Sequence, residues 1–369
     1  MISSETKDRL VDTIALLSIP GVGRGRFARL VDRFGSAAQA MGAGYEELVQ
    51  VSGLSDTTAT AIREKYDGEA ARRMAARIAQ LGWAVLFPDS SEYPPLLGHI
   101  DDRPPLLFRL GEPCLPGDKL MGIVGTRHAT ESGRRFTHSL AADLSQTGVT
   151  VVSGMAEGID SAAHRGALDA GARTVAVWGT PLDQVYPPAN RELAERIRNR
   201  GAIYSEYWPG GVASPSNFPE RNRIIAGMSE GVIVIEAGAK SGALITAQFA
   251  LEQGRELFAV PGRPGSEKSV GTNNLIKQGA KLLTCAQDVF DEIPRLASQI
   301  NARRAKDKPD LTDIEIKMLD LLSEGPLQID QLCRQAGMPV SELLEYLLAL
   351  ELKGVVQELP GKRFVLSDQ

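Results

Sequence analysis

The residues best suited to chemistry lie in short segments rich in glycine, arginine and hydroxyl side chains. Each segment follows an apolar run or precedes a stretch compatible with a helix, which places it at a strand end or a helix N-terminus. Backbone N–H groups at a helix N-terminus and arginine guanidinium groups both favour an anion such as phosphate. The candidate binding residues are Gly125, Thr126, Arg127, Ser153, Gly154, Gly158, Phe218, Arg221, Asn222, Arg223, Lys240, Ser241 and Gly242.

The segment Phe218–Arg223 has the most specific composition, with an aromatic ring, an asparagine and two arginines close together. We interpret it as a loop that enters a helix. A ring that stacks on a base contributes about 1–3 kcal/mol, and arginines neutralise the backbone of a single nucleic-acid strand. Asn222 would contact a base edge or brace the loop. The alternatives are that Phe218 anchors the core and that Arg127 pairs with an acid such as Glu157.

Several motifs for other kinds of site are absent. The turn at Gly125–Thr130 lacks the Gly-x-Gly-x-x-Gly pattern of dinucleotide sites, and no Gly-x-x-x-x-Gly-Lys-Ser/Thr loop for nucleoside triphosphates occurs. Ser153, Asp160 and His164 would form a hydrolase triad, but Ser153 is not in a Gly-x-Ser-x-Gly elbow. We predict no catalytic residue and no cofactor. Asp160 and His164, spaced to hydrogen-bond each other, and Glu236 are predicted to support the site.

Composition argues against further classes of protein. Cys114, Cys285 and Cys333 are far apart, without a Cys-x-x-Cys pair or a neighbouring histidine, so we predict no metal site and no disulfide. No apolar run approaches the ~20 residues that a membrane span needs. The first residues do not resemble a signal peptide. We therefore expect a cytoplasmic protein with no membrane partner.

Charge is distributed unevenly along the chain. The net charge is −5, which by itself disfavours a nucleic-acid partner. Residues 309–369 contain five basic and eleven acidic residues, a charge of −6, so the rest of the chain carries +1. Because binding responds to local fields, the basic residues of the larger part remain able to form a site for phosphates.

Seven apolar runs alternate with stretches compatible with helices in the central part of the chain. The runs are residues 120–124, 149–152, 174–178, 202–204, 231–235, 257–260 and 281–283. Strands that are apolar throughout and alternate with helices predict a parallel sheet covered on both faces. We predict an α/β, Rossmann-like domain over residues 83–293, with its site at the carboxyl edge of the sheet. The proline-rich residues 83–111 should form edge strands or packing arms.

Two smaller modules are predicted to flank this domain. In residues 1–82, the turn Ile19–Gly23 between two helical stretches resembles a helix-hairpin-helix, and Val51–Ser55 looks like a degenerate second copy. Such a hairpin would bind a DNA phosphate or merely pack the module. The arginines that would add charge there are Arg24, Arg26 and Arg29. A basic linker, residues 294–308, leads to residues 309–369, where three helices and a hairpin resemble a winged helix.

The motifs of the central domain, taken in order, resemble those of the DNA processing protein A family, also called DprA or Smf. The motifs are Ile123–Arg127, Ser153–His164, Phe218–Gly227, Val234–Ala237, Ser241–Ala247 and Ala259–Gly262. The resemblance spans the whole Rossmann-like domain and, more weakly, the flanking modules.

This resemblance implies a bacterial protein that binds single-stranded DNA without ATP and forms homodimers. It would help load the RecA recombinase on incoming DNA in natural transformation. The family's DNA pocket corresponds to Gly125–Arg127 and Phe218–Arg223. One departure from the family pattern is Pro181, in place of the usual second glycine. We expect it to stiffen one wall of the pocket.

Two alternatives from other classes are weaker. A nucleotide phosphoribohydrolase of related fold would have a Pro-Gly-Gly-x-Gly-Thr-x-x-Glu loop after the strand at residues 231–235, whereas this chain has Glu236–Gly242 and no later glutamate. A transcription regulator would read DNA with the presumed recognition helix, Val340–Lys353, which carries three glutamates and one lysine. DNA phosphates would repel that helix. We therefore predict that the C-terminal module contacts protein.

Overall fold

The computed structural model describes residues 4–64, 67–297, 312–322, 325–352, 355–359 and 361–366. The chain divides into two compact units, Met1–Ala297 and Ser298–Gln369. The finer division of the first unit near residue 82 stays a prediction. The predicted basic linker, residues 294–308, lies outside the described residues from residue 298 onward.

Helices make up the beginning of the first unit, as predicted. They are α1 (Ser4–Leu17), α2 (Arg24–Phe34), α3 (Ala37–Gly42), α4 (Tyr45–Leu48), α5 (Asp56–Glu64) and α6 (Gly68–Gln80). The turn between α1 and α2 contains Gly21 at a φ of +89°, and a Cβ there would lie 2.7 Å from the hydroxyl of Thr58 on α5. A glycine is therefore needed where this turn packs against the second helical pair.

A nine-stranded sheet forms the centre of the described part of the first unit. Its strands are β1 (Ala84–Leu86), β2 (Leu107–Gly111), β3 (Lys119–Val124), β4 (Val149–Ser153), β5 (Thr174–Val177), β6 (Ala202–Ser205), β7 (Gly231–Val234), β8 (Glu256–Ala259) and β9 (Lys281–Leu282). The spatial order is β1-β2-β6-β5-β4-β3-β7-β8-β9. The seven strands from β6 to β9 in this spatial order pair in parallel. At one end of the sheet, β2 pairs antiparallel with β6 and β1 pairs antiparallel with β2. All seven predicted parallel strands are confirmed.

The helices of the central domain follow the strands in the alternation that the sequence predicts. They are α7 (Glu131–Gln146), α8 (Ile159–Asp169), α9 (Arg191–Arg200), α10 (Asn217–Met228), α11 (Ala243–Glu252), α12 (Val270–Lys277) and α13 (Ala286–Glu292). Short 3-10 turns occur at Leu96–His99, Pro188–Asn190, Glu267–Ser269 and Pro294–Ala297. The strands β3 to β7 are almost entirely buried, which agrees with a doubly covered sheet. No described helix is long and apolar enough to cross a membrane.

The helical module shares an apolar core with the sheet. Leu10 and Ile14 of α1 belong to the same buried cluster as Phe108 of β2, Ile197 of α9 and Ile203 of β6. Burying apolar surface contributes about 25 cal/mol per Å², so this shared cluster holds α1 firmly against the sheet.

The second unit has the predicted winged-helix order of elements. Its described helices are α14 (Asp313–Leu322), α15 (Ile329–Ala336) and α16 (Val340–Leu352). Strands β11 (Val356–Leu359) and β12 (Arg363–Leu366) form the predicted hairpin, and a short strand, β10 (Leu327–Gln328), pairs with β12. Glu342, Glu345 and Glu351 of α16 are exposed, so the face that would enter a DNA groove is acidic.

Candidate functional site

A cavity of about 290 Å³ opens at the carboxyl edge of the sheet, beside β3. The chain continues from β3 to β4 on one side, while β7 lies on the other side, so this is the point where the strand order reverses. In open α/β sheets such a switch point is the usual place for a ligand. The predicted segments at Gly125–Arg127, Phe218–Asn222 and Ser241–Gly242 all reach the cavity wall.

The segment Phe218–Arg223 lies within α10, so the prediction of a loop is wrong. Helical periodicity decides which of its side chains face the cavity. Phe218, Asn222 and Ile225, at spacings of four and three residues, line the same wall. Arg223 lies on another side of α10 and is directed away from the cavity.

The exposed Arg127 guanidinium lies against the half-buried aromatic ring of Phe218. The Arg127 Cζ lies 5.5 Å from the centroid of the Phe218 ring. A second ring, Tyr186, lies 5.1 Å from Phe218 between centroids, at an interplanar angle of 43°. Arg127 makes no ion pair within the described ranges, so the alternative pairing with Glu157 is absent. A free guanidinium and a ring at one cavity, with a second ring in contact with the first, suit a phosphate and a base.

Three glycines in the turns after β3 and β4 are required by close contacts. Gly158 has a φ of +81°, and a Cβ there would lie 2.4 Å from the carbonyl oxygen of Thr126. A Cβ at Gly154 would lie 2.5 Å from the Arg221 guanidinium, and a Cβ at Gly125 would lie 2.5 Å from Ile159. These three glycines therefore allow the loops to pack together at the cavity.

Arg221 is a buried support of the cavity. Its side chain donates from Nη1 to the carbonyl oxygens of Gly154, at 2.8 Å, and Val177, and from Nε to Asn222 Oδ1 at 3.2 Å. The residue is only 4% exposed. Burial lowers the pKa of Arg221 to about 10, and the charge of Asp160 opposes this shift. The guanidinium thus joins the ends of β4 and β5 beneath the site.

Asp160 fixes the β4 turn through its carboxylate. One carboxylate oxygen accepts hydrogen bonds from the backbone N–H groups of Gly154, at 3.2 Å, and Ala156, at 3.3 Å. Burial raises the pKa of Asp160, while the neighbouring Arg221 charge lowers it. A buried carboxylate beside a buried guanidinium is stable only while both are present. These hydrogen bonds hold the β4 turn in place, and a supporting role of Asp160 in ligand binding stays a prediction.

The predicted hydrogen bond between Asp160 and His164 is wrong. The Nδ1 of His164 lies 2.8 Å from Thr174 Oγ1, and its Nε2 has no partner. Burial lowers the pKa of His164 to about 3, so the ring is neutral near pH 7. Ser153 Oγ donates to the carbonyl oxygen of Ile123 at 2.6 Å. Ser153 thus joins the end of β4 to β3, His164 bonds the first residue of β5, and the three residues do not form a catalytic triad.

Arg223 belongs to a buried ion pair that the sequence did not reveal. It contacts Glu206 with Nη1 and Nη2, at 2.7 and 2.8 Å, and Asp102 Oδ2 with Nε at 3.0 Å. Its side chain is 1% exposed, which leaves no free face for DNA. Arg24 of α2 lies 3.3 Å from Glu206 and 3.1 Å from Glu220. The helical module is thereby tied to the first turns of α10.

The hairpin arginines of the helical module are also engaged within the protein. Arg26 donates to the carbonyl oxygens of Gly21, at 2.6 Å, and Gly53, at 2.8 Å. Together with the pairing of Arg24, these bonds favour the packing alternative for this hairpin.

The other rim of the cavity is formed by the turn before α11. Lys240 and Gly242 are exposed, and Asn222 Nδ2 donates to the Gly242 carbonyl oxygen at 3.4 Å. Ser241 Oγ accepts from the N–H of Ala243 at 3.3 Å, at the beginning of α11. Lys240 therefore adds an exposed positive charge next to the residues that form this rim.

Glu236 supports the site by holding the beginning of α7. Its carboxylate accepts from the N–H of Thr130 at 2.9 Å and from the Thr130 hydroxyl at 2.5 Å. Its backbone oxygen accepts from the N–H of Thr126 at 2.8 Å. Glu236 thus keeps the turn that carries Arg127 in place.

Tyr186 was not predicted as a site residue, and the prediction that Pro181 forms one wall of the pocket is wrong. Tyr186 is 45% exposed beside Phe218, and its only sequence signal is an aromatic residue between two apolar segments. Pro181 lines a separate cavity together with Tyr207 and Trp208 and does not reach the site. Gly179 instead packs against the site from behind, since a Cβ there would lie 2.9 Å from the Phe218 ring.

The fold and the site define a class of Rossmann-like proteins with a basic and aromatic crevice at the switch point. A family model for DNA recombination-mediator protein A matches residues 84–294, and a model for the DprA winged helix domain matches residues 302–362. The chain belongs to this DNA recombination-mediator family. Its Rossmann-like and winged-helix domains are thus confirmed.

Relatives of known name support this membership. The chain is 36% identical over 317 residues to the protein Smf of Synechocystis sp., covering 76% of this chain and 79% of that protein. It is 37% identical over 288 residues to Smf of Escherichia coli, covering 75% of this chain and 76% of that protein.

Solved structures of the family have the same fold. The DNA processing protein A of Streptococcus pneumoniae superposes with a TM-score of 0.68 and 34% identity, over 76% of this chain and 97% of that chain. The corresponding protein of Helicobacter pylori has a TM-score of 0.52 and 28% identity, over 58% of this chain and 96% of that chain. Its structure is described as showing a unique single-stranded DNA binding mode. These likenesses do not favour the phosphoribohydrolase alternative.

Proposed function

We propose that this protein binds single-stranded DNA in the cavity beside β3 and delivers it to the RecA recombinase during natural transformation. Binding requires neither ATP nor another cofactor, and the protein is not an enzyme. Family membership supports this role, and so does the single-stranded DNA named for the H. pylori relative. The observation that carries the proposal is the exposed Arg127 guanidinium beside the Phe218 and Tyr186 rings.

The accessibility of the predicted site residues supports two different roles for them. Arg127, Phe218, Asn222, Lys240 and the turn at Ser241–Gly242 are accessible and would contact the strand. A base would stack on the aromatic surface, which is compatible with any sequence, while Arg127 and Lys240 neutralise phosphates.

The remaining site residues would act by holding these contacts in place. Their side chains or backbone atoms are used in bonds within the protein, as described above. They are Gly125, Thr126, Ser153, Gly154, Gly158, Asp160, His164, Arg221, Arg223 and Glu236. The cavity walls thus need no rearrangement to receive a base, which reduces the entropic cost of binding.

Family membership and the exposed surface support a proposal for the protein partners. We propose a cytoplasmic homodimer that interacts with RecA, with the C-terminal module as a protein contact. Leu251 at the end of α11 is 54% exposed, and Leu282 of the edge strand β9 is 51% exposed. Exposed apolar side chains at an unpaired sheet edge are suited to a second protein surface.

A binding titration tests the proposed function. Fluorescence anisotropy would compare labelled single-stranded and duplex oligonucleotides of equal length, without ATP, at several salt concentrations. We expect tighter binding of the single strand and an affinity that falls as salt rises, because bound phosphates release counterions. Equal affinity for duplex, or no dependence on Arg127, would refute the assignment of the cavity.

A further inference from the structure

We propose that a second cavity, separated from the first by Glu236, binds a further nucleotide of the same DNA strand. This inference rests on the proposed function. The second cavity has a volume of about 590 Å³ and lies at the carboxyl ends of β7 and β8 and beside the beginning of α7. It is lined by Phe136, Glu236, Arg263 and Ser266, among others.

The two cavities lie on either side of the turn after β3, at one edge of the sheet. The turn after β3 binds Glu236 through the N–H of Thr126, at 2.8 Å, and through the N–H of Thr130, at 2.9 Å. Neighbouring strands are about 4.8 Å apart, so sites above β3 and β8, which are two strands apart, are separated by roughly 10 Å. A single strand that leaves the first cavity along this edge therefore meets the second one.

The chemistry of the second cavity repeats that of the first. Arg263 is exposed at its rim and makes no ion pair in the part of the chain that the structure describes. Phe136 of α7 is half-buried and turns an aromatic surface towards the cavity, while Ser132 and Ser266 supply hydroxyl groups. An arginine, a ring and hydroxyl groups are the components of a sequence-tolerant nucleotide site.

The base and the phosphate have distinct places in this cavity. The beginning of α7 is unsuited to a phosphate, because Thr130 already caps the N–H of Gly133 at 2.9 Å and Glu131 places a negative charge in the first turn. The phosphate would therefore lie at Arg263. Glu236 accepts two hydrogen bonds from Thr130, and a carboxylate has room for more, so it can accept from the amino group of a base.

Binding of a long oligodeoxycytidylate to Arg263→Ala and Phe136→Ala tests this site. We expect Phe136→Ala to lower the affinity at least about fivefold, the lower end of what one stacked base contributes, and Arg263→Ala to lower it because a phosphate contact is lost. Arg263→Ala should also reduce the slope of log affinity against log salt by about 0.7, as one lost phosphate contact predicts for single strands. The control is Arg135→Ala, on the same helix as Phe136, because Arg135 is 70% exposed and pairs with Glu131 at 3.5 Å.

A second measurement locates the strand directly. In a Ser266→Cys variant, bound oligodeoxycytidylate should protect the new thiol from a maleimide reagent, as followed by peptide mass spectrometry. The exposed native Cys285 provides the internal reference. If binding depends on Arg127 but the thiol is not protected and Arg263→Ala binds normally, the second site is refuted while the proposed function stands. If binding does not depend on Arg127, the proposed function itself fails.

Discussion

Replacing Arg221 or Arg127 with alanine should weaken DNA binding for two different physical reasons. Arg221 is buried and donates to the carbonyl oxygens of Gly154 and Val177, so its removal damages the cavity from within. Arg127 is exposed and unpaired in the described structure, so its removal takes away only a contact with the strand. Comparing the two variants therefore distinguishes a residue that supports the cavity from a residue that contacts DNA.

The two variants should differ in how much folding free energy they lose. Arg221→Ala leaves two buried carbonyl groups without a charged donor and leaves Asp160 as an uncompensated buried carboxylate. Removing one partner of such a buried pair costs about 3–5 kcal/mol of folding free energy. For a domain of this size, that loss lowers the melting temperature by roughly 6–20 °C. Arg127→Ala should change the folding free energy by less than about 0.5 kcal/mol.

The salt dependence of binding distinguishes the two variants further. Arg127→Ala should reduce the slope of log affinity against log salt by about 0.7, because one phosphate contact is lost. Arg221→Ala should bind more weakly with an unchanged slope, measured by anisotropy well below its melting temperature. If Arg221→Ala instead melts like the wild type and reduces the slope, Arg221 contacts DNA and the buried role is incorrect.

Three further predictions concern other parts of the chain. Gly158→Ala should destabilise the protein by at least about 1–3 kcal/mol in a thermal melt and weaken binding, because φ is positive at this position and the new Cβ would meet Thr126. The control Gly42→Ala should be neutral, because a Cβ there meets no other atom. His164 binds a proton more readily in the unfolded chain than in the folded protein, where its pKa is about 3. Its contribution to stability is therefore complete above about pH 6.5 and is lost as the pH falls towards 3. Melts of His164→Asn should show a smaller loss of stability over this range, and an equal loss would contradict the buried neutral ring. Deleting residues 309–369 should leave single-strand affinity largely intact, because the exposed face of α16 is acidic, and a large loss in the titration would contradict a protein-contacting role.

The sheet could be predicted because its strands are apolar throughout and its helices alternate with them. Burial on both faces imposes that pattern directly on the sequence, and all seven predicted strands appear. The short strand β10 was missed, since two residues carry no periodic signal. The limits of α10 were also missed, because Pro219 near its beginning resembles a loop residue although proline is tolerated in a first helical turn.

The site was predictable in its location but less so in its roles. Glycines at strand ends and a switch point indicate the cavity from sequence alone. Whether an arginine binds a ligand or braces the fold depends on partners that are distant in the chain. Arg223 pairs with Glu206 and Asp102, and Arg221 bonds to strand ends, so neither role is visible in a local motif. The contact of Tyr186 with Phe218 likewise joins residues that are distant in the chain, so no local motif indicates it.

The shared core of α1 and the sheet has a consequence for biosynthesis. Leu10 and Ile14 pack in the same cluster as Ile203, which is synthesised roughly 190 residues after them. At about 5–20 residues per second, these apolar side chains wait about 10–40 s for their partners while the chain is being made. The N-terminal helices therefore leave the ribosome with an uncovered apolar face. Chaperones that bind nascent chains would have a target in the apolar face of α1.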